Sequence, residues 1–186
     1  MLFNSHHYVW FLFAAYLVFW GLKGAHHART LFLVVASYVF YVAGTYETAL
    51  EQAPPLGPVG WSALCFGIIF VGSSLDFWIG RLMGRIEDKR KRLALLLVSI
   101  VYYLGVLALF KYWNFAVDNV SALANYFGVA IAPHHTKLIL PFGISFFTFE
   151  TMSYTIDVYR KELAPAKSYK EYLLFVAFFP HLVAGP

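Results

Sequence analysis

The chain has one cysteine in 186 residues, Cys65, and only 13% of its residues are charged. A lone cysteine excludes an internal disulfide and a cysteine-built zinc site. Set in an apolar stretch, Cys65 reads as a small buried hydrophobe. Charge is scarce too, at about half the share usual in soluble domains. The net charge of +4 is too small to point to nucleic acid, so no such partner is expected. A small-residue cleavage site is also missing after the first apolar stretch, which therefore reads as a retained helix and not as a signal peptide. Histidines are present, but as the adjacent pairs His6-His7, His26-His27 and His134-His135 plus a lone His181. Neighbours in sequence point different ways on a helix, so the pairs are poor chelators and no metal site is expected.

What the chain has in abundance is apolar surface: 60% of its residues are hydrophobic and 20% aromatic. A domain of this size exposes much of its surface, so such runs need lipid as their solvent. The expected fold is an all-α integral membrane protein, a bundle of about five or six spans. The spans are placed near residues 8–22, 30–44, 61–79, 93–110 and 138–156, with a last apolar segment at 172–184 that is either a re-entrant arm or the start of a crossing. Residues 115–131, mixed in polarity, read as an amphipathic helix lying at the outer surface. Alternate loops hold twelve of the fourteen Lys and Arg, six of them between Arg81 and Arg92. By the positive-inside rule, that loop faces the cytoplasm and the N-terminus lies outside a multi-pass cell-membrane protein.

Polar residues inside spans are the default place to look for function, because leaving them in lipid costs kilocalories each. In the third span Gly72, Asp76, Gly80 and Gly84 share one face, a spacing that lets another helix come close. Asp76 reads as half of an ion pair with Arg81. In the fifth span Glu150, Ser153 and Asp157 share a face, and Thr148, Thr151 and Thr155 lie nearly opposite. A helix polar on two sides belongs inside a bundle or along a wet cavity. Asp157 can pair with Lys161 one turn on, whereas Glu150 has no local partner. The candidate cavity-lining residues are Glu150, Ser153, Asp157, His181 and Lys111; a structural role for His181 is the plainer reading.

Leu140-Pro141-Phe142-Gly143-Ile144-Ser145-Phe146-Phe147-Thr148-Phe149-Glu150, continuing through Ser153-Tyr154-Thr155-Ile156-Asp157-Val158-Tyr159-Arg160, resembles the signature of bacterial membrane-bound O-acyltransferases of the alginate O-acetyltransferase type. Matching segments run in the family's order: Met1–Ser5, Ala36–Tyr41, Asp76–Gly80, Phe110–Phe115 and Phe178–Pro186. The resemblance implies the N-terminal part of a single transmembrane acyltransferase domain, residues 1–186. It implies transfer of acetyl from acetyl-CoA toward an exopolysaccharide such as alginate or a cell-wall glycan. The partners implied are membrane lipid, an extracytoplasmic acetyl-carrier or acetyltransferase protein and, indirectly, the polysaccharide acceptor. The family's transferring histidine sits in a Trp-His-Gly-like context beyond the Gly-Pro motif, so no catalytic residue is expected in this chain, and the chain alone is expected to be inactive. D-alanyl transfer within the same fold, and a non-enzymatic membrane module or transporter, are the alternatives.

Overall fold

A computed structural model of the chain describes residues 6–129, 138–141 and 143–184, and among them every regular element is a helix. They are α1 (His6–Gly21), α2 (His26–Gln52), α3 (Gly57–Met83), α4 (Lys89–Tyr126), α5 (Ile144–Arg160), α6 (Tyr169–Ala177) and α7 (Phe179–Ala184). The start and stop signals are local. Pro58 sits in the first turn of α3, where its missing N–H leaves no bond unmade. Asp88 caps α4 by accepting the Arg90 N–H at 2.8 Å, and Ser168 caps α6 from the Glu171 N–H. At its other end α5 stops in a left-handed turn at Lys161.

Three helices, α2, α3 and α4, are long and apolar enough to cross a membrane. That is fewer than the five or six spans read from the sequence, and the reason is length. α1 has 16 residues and α5 has 17, or about 24 and 26 Å at 1.5 Å per residue, against a hydrocarbon core of about 30 Å. The last apolar segment is broken at Phe178 into α6 and α7. Helix boundaries also move outward. α2 covers 26–52 instead of 30–44, and it accommodates Thr30, Thr45 and Thr48 by bonding their hydroxyls back to carbonyls of the preceding turn. α4 does not stop at Phe110. It runs unbroken to Tyr126, so there is no separate surface helix over 115–126; residues 130–137, with His134-His135, lie outside those described.

α4 is the strongest sign of a lipid environment. Its outer face leaves Leu93, Leu97, Val98, Val101, Leu104 and Leu109 exposed, a continuous apolar stripe that water would not tolerate. Lys111 sits about 33 Å along the helix axis from Lys89, near the far edge of the hydrocarbon, with Tyr112 and Trp113 beside it as interfacial aromatics.

Three basic connections meet at one end of the bundle. His26, opening α2, lies 3.6 Å from Glu171 at the start of α6. Gly84, closing α3, sits so close to Pro165 that a Cβ there would stand 2.5 Å from the proline ring. Arg92, near the start of α4, reaches the end of α5. The 53–56 connection lies at the opposite end, with Pro55, Leu56, Trp61, Phe110 and Leu138 lining one open apolar groove. The two-sided distribution of Lys and Arg read from the sequence is therefore a property of the fold.

The small-residue face of α3 serves as expected. At Gly72 a Cβ would meet the Tyr102 and Tyr103 rings, and at Gly80 it would stand 2.7 Å from the Tyr154 hydroxyl. Neighbouring helices pack directly on the α3 backbone at these points. The threonine face of α5 is buried against α3 and α4, and Phe149 on its other side is exposed. Cys65 is fully buried.

Candidate functional site

Glu150 does have a partner. The imidazole Nδ1 of His181 lies 3.1 Å from Glu150 Oε1. Their approach is off the line of an aligned ring N–H, and both carboxylate oxygens are left without a made hydrogen bond. Glu150's side chain is 8% exposed and that of His181 37%, so the carboxylate is enclosed while the imidazole keeps an open edge. The edge of Phe146 packs on the imidazole at a centroid distance of 4.7 Å.

The pairing depends on an unusual backbone. α7 is brought against the start of α5, where Gly143 has φ +69° and a Cβ would stand 2.7 Å from the Leu182 carbonyl oxygen. Only glycine combines that left-handed conformation with that approach. On the other side of α7, the Phe179 N–H donates to Ser37 Oγ in the middle of α2 at 3.3 Å, and Phe179 packs on Phe11 and Phe40. The break at Phe178 thus turns α7 into the bundle, carrying His181 with it. Leu138 reaches the groove beside Phe110 while α5 ends beside Arg92, so the non-helical residues 138–141 and then α5 follow α4 from one end of the bundle toward the other. Non-helical backbone at membrane depth is tolerated only where it is buried in protein or lines a cavity. Ile139 and Pro141 are accordingly buried.

The other predicted residues fall elsewhere. Ser153 is exposed and spends its hydroxyl on the Glu150 carbonyl at 2.8 Å. With the half-buried Asp157 it lines an open pocket of about 350 Å³ at the basic end, together with Tyr154, Lys167, Ser168 and Tyr172. Among the described residues Asp157 makes no ion pair with Lys161; its backbone carbonyl instead accepts the Glu162 N–H in the turn that ends α5. Lys111 is exposed on α4, 5.6 Å from the centre of the Tyr112 ring, and belongs to neither group.

Two features escaped the sequence reading. Asp76 is not paired with Arg81. Five residues on, Arg81 lies well around the helix from it and sits instead over the Phe77 ring. Asp76 is wholly buried, with the hydroxyls of Ser99, Tyr103 and Thr155 about its carboxyl, yet neither oxygen has a made hydrogen bond. Arg92 is the second. Its guanidinium is buried and donates to the carbonyls of Met83 at 2.8 Å, Val158 at 2.8 Å and Tyr159 at 2.7 Å, at the ends of α3 and α5, where helices leave carbonyls without intrahelical partners. A signal was present: Arg92, Leu96, Ser99 and Tyr103 are spaced as one buried face of α4.

Searches of known proteins give a consistent neighbourhood. The whole chain aligns with a probable alginate O-acetylase, AlgI, of Pseudomonas aeruginosa, 35% identical over 189 residues and covering 32% of that protein. A probable alginate O-acetylase of Azotobacter vinelandii is 34% identical over 192 residues, again across the whole chain and 34% of the relative. A peptidoglycan O-acetyltransferase of Helicobacter pylori is 24% identical over 182 residues, covering 84% of this chain and 30% of its own. The chain thus spans about a third of the length of the relatives it matches. No protein-family model matches it, and no solved structure does so significantly.

Proposed function

We propose, for a chain that belongs to the bacterial membrane-bound O-acyltransferases of the alginate O-acetylase type, that it forms part of an enzyme moving acetyl from cytoplasmic acetyl-CoA to a polysaccharide outside the membrane. The likeness across every residue of the chain carries this reading. The basic end faces the cytoplasm and the N-terminus the outside. An acetyl-carrier or acetyltransferase protein on the outer side takes the group onward.

The geometry suits such work. Transfer to a hydroxyl needs a group that accepts the hydroxyl proton and donors for the oxyanion. Both are hard to keep in lipid unless a bundle encloses them. The Glu150–His181 pair stands inside the bundle beside unwound backbone, with an open imidazole edge. The family's transferring histidine belongs to a downstream segment, and the pair here orients or polarises groups in the passage that leads to it.

The test uses the complete protein in its membrane. Glu150→Leu should lower acetyl transfer to polymer strongly, and Glu47→Leu, on the exposed side of α2, should leave it close to normal. Loss of a proton-handling group typically costs a hundred-fold or more. Equal activity of the two variants overturns the placement of the pair in the passage.

A further inference from the structure

Among the described residues, three of the interior's polar atoms without a made hydrogen bond, Arg29 Nε and the Tyr38 and Tyr41 hydroxyls, belong to α2; the others come from four neighbouring helices. Both oxygens of Asp76, both of Glu150, and the hydroxyls of Tyr103, Thr148 and Tyr172 are buried without a made hydrogen bond. Asp76, Tyr103 and Tyr172 are between 0% and 2% exposed. These groups come from α3, α4, α5 and α6, which pack on one another. Tyr103 stands at the Asp76 carboxyl, and the Tyr172 hydroxyl lies within electrostatic reach of Asp76, Tyr103, Tyr154 and Glu150. Tyr172, packed on Tyr154 at a centroid distance of 4.7 Å, thus stands near both carboxyls. Several nearby hydroxyl protons are already spent on backbone: Thr151 donates to Phe147 and Thr155 to Thr151. Their remaining capacity is to accept, as is that of any ionised carboxylate, so the cluster has more acceptors than donors.

A buried polar group left without a hydrogen bond costs about 1–3 kcal/mol, and such groups are rare enough in a folded domain that each calls for a partner. Among the described residues no Lys or Arg stands within 4 Å of Asp76 to compensate it. A molecule that donates two hydrogen bonds and accepts two, and fits between hydroxyls, meets this need; that molecule is water. We propose that the space between α3, α4, α5 and α6 binds a chain of water molecules linking Asp76, through Tyr103 and Tyr172, to the Glu150–His181 pair. Its outlet is the open pocket at the basic end, whose lining includes Tyr154 and Tyr172. The chain gives His181 a proton connection to the basic side of the membrane; that consequence, though not the water itself, rests on the acetyl-transfer reading. A proton moves along it with one O–H bond formed for each one broken, so nothing else is consumed.

Radiolytic hydroxyl-radical labelling of the complete protein in lipid nanodiscs reads this directly, because radicals born from bound water mark the side chains that touch it. Tyr103 and Tyr172 should be labelled many-fold more than Phe40, which is equally buried but packed among aromatic rings. Thr148→Val and Asp76→Leu, each removing orphaned oxygens, should both reduce the labelling of Tyr103 and Tyr172. If Asp76→Leu fails to fold, Thr148→Val alone decides. Labelling of both tyrosines at the level of Phe40 in the unmodified protein means a dry interior and overturns the proposal. The readout needs no acetyl transfer, so the water chain and the enzymatic reading fail separately.

Discussion

The basic end of the bundle and its interior treat buried charge in opposite ways. At the basic end Arg92 is 5% exposed and every arm of its guanidinium fork is aimed at carbonyls that close α3 and α5. In the interior Asp76 is just as hidden and holds no made hydrogen bond, and Glu150 holds one off-line contact. A buried charge whose partners are all present acts as a fastener. One left short of partners is costly to keep, and inside a membrane such a residue is where function is looked for first.

The largest expected effect breaks the fastener. Arg92→Met keeps the stem packing but strands the carbonyls of Met83 and Tyr159 and leaves that of Val158 with the Lys161 N–H alone. Each buried carbonyl left without a partner costs about 1–3 kcal/mol. Thermal unfolding in detergent should show a marked drop in midpoint for Arg92→Met and little change for the exposed Arg90→Met. A drop no larger than that of Arg90→Met would mean that the basic end is held by other contacts.

Gly143→Ala comes next, and it acts on the interior through the backbone. A Cβ at φ +69° is strained by about 1–2 kcal/mol and would also press on the Leu182 carbonyl. The expected outcome is a modest loss of stability with α7 displaced, so that His181 leaves Glu150. Carbethoxylation of His181 should then quicken relative to the parent protein. An unchanged rate would show that α7 keeps its seat without the glycine.

How much of this could be read beforehand follows from how far apart the partners are. The membrane class, the segregation of Lys and Arg, the packing face of α3 and the buried threonine face of α5 are all periodic or compositional, and periodicity survives in a linear sequence. The partner of Glu150 is on another helix, delivered by a chain break at Phe178 and a left-handed glycine, and no spacing rule connects them. Arg92 was hidden for a different reason: it sits among six cations whose shared explanation was topology, and only its register with Leu96, Ser99 and Tyr103 sets it apart. The span count erred because apolar composition does not distinguish a full crossing from α1, which is too short, or from a helix that unwinds partway, as before α5.

The smallest expected effect is a coupling close to zero, and it bears on the two readings of Asp76. If Asp76 and Arg81 were an end-of-helix ion pair, Asp76→Asn and Arg81→Gln would each remove the same interaction, and the double variant would cost little more than either alone. In the fold, Arg81 lies over Phe77, while Asp76 turns toward Ser99, Tyr103 and Thr155. The two side chains share no contact, so their effects should add. Residues without shared partners add to within about 0.3–0.5 kcal/mol, whereas an ion pair at a helix surface shows coupling of similar size or larger and loses it in salt. The cycle is therefore measured twice, at low and high ionic strength. Coupling under that bound and insensitive to salt keeps Asp76 in the interior cluster. A coupling above it that fades with salt would move Asp76 to the fastener side of the comparison, and the interior would lose its most deeply buried carboxyl.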